Sequence, residues 1–165
     1  MKASHAVGIA ASVLFGFLSV AASADQIKEL ELYKSALGKW NCDAKEVESG
    51  KAFKAIAEFS ADFDGNTYIE RYWEIANPDH PNAWKAIFIM SYDSKTKRWV
   101  RNGVDNSGER NAASSSGWNK NTWVWENDGV NIVIDRQSEN ARTFAVDVKQ
   151  SAGVKRVVTA ACTRT

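Results

Sequence analysis

Few side chains in this chain can do covalent chemistry. Past residue 24 the one histidine is His80, set between prolines in Asn77-Pro78-Asp79-His80-Pro81. The two cysteines, Cys42 and Cys162, lie near opposite ends. Acid–base or nucleophilic catalysis draws on a histidine, a free thiol, or a serine with a base. Ser114-Ser115-Ser116 has no evident base and reads as small residues making room on a strand. Glu70 with Glu74, or Asp105 with Glu109, could form a carboxylate pair, but strand carboxylates ordinarily face water. His80 with Asp79 lacks a third metal ligand, and a turn is the simpler reading. No catalytic residue, metal ligand or cofactor is assigned, and an isomerase- or hydrolase-type enzyme stands only as an alternative.

The chemistry that the chain does favour is non-covalent. It carries seven tryptophans, and aromatic walls with a few placed polar groups suit a small-molecule site. The candidate ligand-binding residues are Arg71, Trp73, Trp84, Phe88, Trp99, Arg101, Ser116, Trp118, Trp123 and Trp125. An arginine inside an apolar wall needs an anionic partner. Arg71 or Arg101 would hold the carboxylate of an apolar ligand, or pair with Asp105 or Glu70 in its absence. The competing reading puts both arginines outside in cross-strand pairs, such as Glu58 with Arg71. The partner expected is a small apolar or amphipathic molecule; a structural or interaction module with a solid barrel is a further alternative.

These residues need strands to place them. Asp25 to Leu37 is the single helical pattern, with Ile27, Leu30, Tyr33 and Leu37 on one side and Gly38 as the stop. From there the period is two. Strands are expected at 39–48, 53–63, 67–76, 83–92, 98–105, 109–118, 122–126, 130–136, 141–149 and 154–164, joined by short turns with no helical crossover. Such a meander is antiparallel. If Cys42 faces Cys162, Trp40 faces Arg164 on the same side, and a disulfide joins the first strand to the last. The fold class is therefore all-β, an antiparallel up-and-down barrel of about ten strands with one N-terminal helix. Trp40 and Arg164 are read as structural.

Turn lengths set the other registers. A two-residue turn at Ser49-Gly50 pairs Cys42 with Ala57 and Trp40 with Phe59. Phe53 to Phe63 then turns one apolar face inward. A four-residue turn over 94–97 sets Tyr92 against Trp99 and Met90 against Arg101, while Asp128-Gly129 sets Trp125 against Ile132 and Trp123 against Ile134. The strand over 109–118 is expected to turn Ser114, Ser116 and Trp118 inward. The third strand is ambiguous: a two-residue turn at Asp64-Gly65 points Tyr68, Glu70, Tyr72 and Glu74 inward, and a three-residue turn points Ile69, Arg71, Trp73 and Ile75 inward. The second buries more apolar surface and is preferred. The outer faces then show lysine and glutamate and no large apolar patch.

Met1-Lys2, an uncharged apolar run from Val7 to Val20, and Ala22-Ser23-Ala24 read as a signal peptide over 1–24, followed by one barrel domain over 25–165. A periplasmic or secreted location follows, without membrane insertion after cleavage. In that oxidising space two cysteines read as a disulfide. The chain has 21 basic and 20 acidic residues; without Lys2 the charges balance, so no footprint for nucleic acid is expected. Oligomeric state is left open.

A helix, Gly38-Lys39-Trp40 at the start of the first strand and a basic residue near the end of the last resemble the calycin superfamily of lipocalins and fatty-acid-binding proteins. There the tryptophan and the basic side chain pack across one barrel end, places that Trp40 and Arg164 match. The hairpin from Tyr92 through Asp93-Ser94-Lys95-Thr96-Lys97 to Val100, running on to Gly108, is similar to a bacterial exported domain family of uncharacterised role with a lipocalin-like barrel. The resemblance implies fold and small-molecule binding, and no reaction. A nitrobindin-like haem barrel would need a proximal histidine on a strand, which this chain lacks.

Overall fold

A computed structural model describes residues 24–165. The expected leader over 1–24 falls, Ala24 apart, outside them. Helix α1 (Ala24–Tyr33) runs into a 3-10 turn, Lys34–Ala36, and the strands follow. They are β1 (Gly38–Glu46), β2 (Ala52–Asp62), β3 (Thr67–Ile75), β4 (Lys85–Asp93), β5 (Arg98–Asp105) and β6 (Arg110–Ser115), then β7 (Trp118–Asn119), β8 (Thr122–Glu126), β9 (Val130–Arg136), β10 (Ala141–Gln150) and β11 (Gly153–Arg164). All lie in one sheet, with β1 against β11 and β6 against β8, so ten strands close a barrel and β7 is a short arm on β8. No helix among the described residues is long and apolar enough to cross a membrane.

Alternation makes the wall. On β2, Phe53, Ala55, Ala57 and Phe59 are buried while Lys54 and Glu58 face water. On β1, Trp40, Cys42 and Ala44 are buried between exposed Lys39, Asn41 and Asp43. The first and last strands pair as expected, Trp40 opposite Arg164 and Cys42 opposite Cys162, and the cysteines form a disulfide across 120 residues of chain. The Arg164 guanidinium lies 4.8 Å from the centre of the Trp40 ring and donates to the Ser35 carbonyl. Trp40 Nε1 donates to the Ala36 carbonyl at 2.9 Å. The pair thus fastens the turn after α1 to one end of the barrel.

The other seam is much thinner. Between β6 and β8 the ladder is the single pair Ser114 with Glu126. Arg98 reinforces it, one Nη2 donating to Ser114 Oγ at 3.0 Å and to Glu126 Oε2 at 3.1 Å.

Several expected registers shift. Cys42 faces Ala55 and Trp40 faces Ala57, because the connection between Glu46 and Lys51 holds four residues, 47–50, closed by Glu46 N–H donating to the Lys51 carbonyl. The slip is even, so both faces survive it. On β3 the preferred parity is wrong. Asp62 pairs with Thr67 and Ala61 with Tyr68, the two-residue register; Tyr68, Glu70 and Tyr72 are buried. Arg71 and Trp73 point outward, Arg71 opposite Glu58. Phe63 leaves the apolar face, standing exposed in the turn at φ 45°, and Ile27 of α1 is exposed.

On β6, Trp99 pairs with Ser115, so Ser115 is buried and Ser116 is exposed. The three-residue turn over 106–108, closed by Asp105 N–H donating to the Glu109 carbonyl, sets that parity. Gly117, at φ 88°, then breaks the alternation and returns Trp118 to the inner side. The β3 correction also overturns the expectation of a polar outer surface. Ile69 pairs with Ile89 and Ile87 with Val104; Ile87, Ile89 and Val104 are among the exposed large hydrophobic residues.

Candidate functional site

The barrel interior divides into a filled half and a hollow half. At the end that α1 covers, Tyr33 descends into the barrel and stacks on Trp99 at 4.8 Å between ring centres. It also lies 4.6 Å from Tyr68 and 5.2 Å from Trp123. Its hydroxyl donates to Met90 Sδ at 3.0 Å, and the Tyr68 hydroxyl donates to the Leu30 carbonyl at 2.8 Å. Burial, seconded by the charge of Glu70, pushes the Tyr33 phenol far above its ordinary range. Trp99 Nε1 donates to Glu29 of the helix at 3.2 Å. Trp118 stands edge-on to Trp123. The helix anchors a rigid aromatic plug.

Beyond the plug lies a cavity of about 300 Å³. Its walls are mostly apolar: Phe59, Phe88, Trp125, Ile132 and Phe144 line it, and so do Cys42 and Cys162. Asn111, Ala112 and Asn127 line it where β6 and β8 come to the end of their single-pair seam.

Three charged groups stand in this apolar space. Glu70 on β3 and Arg101 on β5 are both buried. Arg101 Nε and Nη2 donate to the same oxygen, Glu70 Oε2, at 3.0 and 2.9 Å. The guanidinium lies over Phe88, 3.2 Å from the ring centre. Gly103 permits this: a Cβ there would overlap the Phe88 ring and the Ile87 carbonyl. Arg142 on β10 is 7% exposed and lines the cavity. Its guanidinium sits 4.0 Å from the Trp40 ring centre and 4.7 Å from that of Phe59. Among the described residues it makes no hydrogen bond and no ion pair. Burial pulls it down to about 10, against the supporting charge of Glu70, so it stays a cation at neutral pH.

The rim is polar. Glu74 Oε2 accepts from the Trp84 backbone N–H at 2.8 Å and lies 2.7 Å from His80 Nε2. His80 stacks on Phe53, 4.4 Å between ring centres. Trp84 Nε1 donates to Asp105 at 3.1 Å; donors from Ser107 and Trp84 hold that carboxyl well below the usual range. Tyr72 lines the cavity beside Glu74, and burial raises its phenol far above ordinary values.

Of the residues that the sequence nominated, Trp84, Phe88, Arg101 and Trp125 line the cavity. Trp99, Trp118 and Trp123 belong to the aromatic plug. Arg71, Trp73 and Ser116 do not face the interior, for the register reasons given above. Sequence reasoning placed Glu70 inward only in the parity it set aside, and it passed over Arg142 and Phe144. One signal could have found Arg142: it is the basic residue on the alternation Arg142, Phe144, Val146, opposite Cys162.

The class defined by fold and site is a closed antiparallel β-barrel with one end plugged and an internal cavity. No family model and no curated protein matches the sequence. Among solved structures, the chain is similar to a de novo designed fluorescence-activating β-barrel, with 13% identity and a TM-score of 0.42 over 78% of this chain and 93% of that one.

Proposed function

We propose that this protein binds a small apolar or amphipathic molecule in the hollow half of its barrel, as a lipocalin-like carrier outside the cytoplasm. The observation that carries the reading is the cavity of about 300 Å³ behind a rigid plug. That volume is at the lower edge of ligand pockets, which run from about 300 to 1,000 Å³. Core packing ordinarily leaves no void of this size. Apolar walls with a few buried polar groups are the composition of a site that takes its ligand by burial and orients it by hydrogen bonds.

The compartment rests on two supports, the leader-like segment over 1–24 and the Cys42–Cys162 disulfide, since such bonds persist where the surroundings oxidise. The test is native mass spectrometry of the protein recovered from its exporting host, followed by titration with the fluorescent apolar probe phenylnaphthylamine. A co-purifying small molecule, or one probe per chain with a blue-shifted emission, is the expected result. A clean apo mass together with no probe uptake overturns the proposal.

A further inference from the structure

Resting on the reading that the hollow half binds a small molecule, we propose that its ligand is a monoanion, and that Arg142 takes the charged group. Inside the cavity stand two guanidinium groups, Arg101 and Arg142, and one deeply placed carboxylate, Glu70. Glu70 is committed to Arg101 through two hydrogen bonds to one oxygen. Glu74, the other carboxylate lining the cavity, is taken up at the rim by His80 and the Trp84 N–H. One guanidinium is left without a hydrogen-bonded carboxylate among the described residues, and it is that of Arg142.

A buried cation with no hydrogen-bonded acceptor is expensive. The two rings beneath it offset part of this, because a guanidinium is attracted to an aromatic face. They leave its N–H donors unused. Arg142 lines the cavity, and a carboxylate or sulfonate can accept two guanidinium N–H groups side by side. Arg164, on the other strand beside Trp40, adds a second positive charge to the same end. The ligand's acidic head therefore rests against Arg142 at the plugged end, and its apolar body lies along Phe144, Ile132 and Trp125 toward the rim.

The placement also explains why Arg101 is not the anchor. Its Nε and Nη2 already donate to Glu70, and Phe88 lies over it, 3.2 Å from the ring centre. An anion there must share the guanidinium with the buried carboxylate of Glu70, and the repulsion between the two, or the displacement of Glu70, offsets the gain.

Two fluorescent probes of one shape, anilinonaphthalene sulfonate and its uncharged parent phenylnaphthylamine, separate the possibilities. Water favours the sulfonate, so an apolar cavity alone takes up the neutral parent more tightly. The disulfide-intact chain is expected to bind the sulfonate more tightly than the parent, on the order of tenfold to a hundredfold, the range of a charge-assisted hydrogen-bonded contact. In Arg142→Met the sulfonate loses that advantage while the parent still binds; in Arg142→Lys part of it returns. Equal binding, or a preference for the neutral probe, in the unaltered chain overturns the anion assignment and leaves the carrier reading standing. A preference that survives in Arg142→Met overturns Arg142 as the anchor. Uptake of neither probe removes the carrier reading and this one with it.

Discussion

The two halves of this barrel are built from the same residue types and do opposite things with them. At the helix-covered end, Trp99, Trp123, Tyr33 and Tyr68 fill the interior and their ring contacts interlock. At the other end, Trp84, Trp125, Phe88 and Phe144 stand against the wall and leave about 300 Å³ open. The difference is α1. Tyr33 brings a side chain from outside the sheet deep into the barrel, and among the described residues no helix does so at the rim. Rings that would otherwise line a space there become a core. A ten-stranded wall is too wide to fill from its own inward residues alone, so what enters from the ends decides where it is solid.

The largest expected effect strikes both halves at once. The Cys42–Cys162 bond joins β1 to β11, and its sulfurs line the cavity just beyond the plug. Replacing both cysteines with serine should lower stability by about 4–5 kcal/mol in the chain-entropy model for so long a loop, read from urea unfolding. A loss under about 1 kcal/mol would show that the β1–β11 ladder holds this seam alone, leaving the single-pair seam at β6–β8 as the weak point.

A matched pair of substitutions sharpens the contrast between the ends. Trp99 is fully buried in the plug, and Trp99→Ala should cost about 3–5 kcal/mol, the loss of a large core aromatic with incomplete collapse around it. Trp84 is half-buried at the rim, and Trp84→Ala should cost roughly 1–2 kcal/mol, because one side of its ring already faces open space. Equal losses by denaturant titration would contradict a division into solid and hollow ends.

Arg142→Met tests the hollow half for a reversal of sign. Removing a desolvated, unpaired cation of similar volume should raise stability by roughly 1–2 kcal/mol, net of two cation–π contacts. A side chain kept at a standing cost to the fold is the mark of a functional site. Should Arg142→Met destabilise the chain in urea, the guanidinium is structural and its rings are its true partners.

What could be read in the sequence follows from which physical quantities it states outright. The disulfide, the Trp40–Arg164 pair and the Trp123 and Trp125 registers depend only on parity within strands and on turns of clear length, and all appear in the structure. The β3 parity depended on weighing apolar area between two turns. That weighing failed because the inward set Tyr68, Glu70 and Tyr72 is held by partners invisible along the chain: Tyr33, Arg101 and the Leu30 carbonyl. Arg142 escaped notice for a related reason. A basic residue near a strand end looks like solvent-facing charge until the register puts it on the inner face beside Trp40.

The smallest expected effect bears most directly on what the hollow is for. Ala113 lines the cavity opposite Arg101. Ala113→Leu adds apolar volume where there is room, so it should stabilise by about 0.5–1 kcal/mol, as cavity filling commonly does. Ala36, the last residue of the 3-10 turn after α1, is buried in the filled end, and the same change there should destabilise by about 1–3 kcal/mol through overpacking. The two leucines thus have opposite signs if the halves differ as described. Calorimetric unfolding reads the stability, and phenylnaphthylamine uptake reads the cavity. Ala113→Leu should become more stable and lose the probe together, since the leucine occupies the space the probe needs. A chain that gains stability and still takes up the probe would place the binding space elsewhere along the wall.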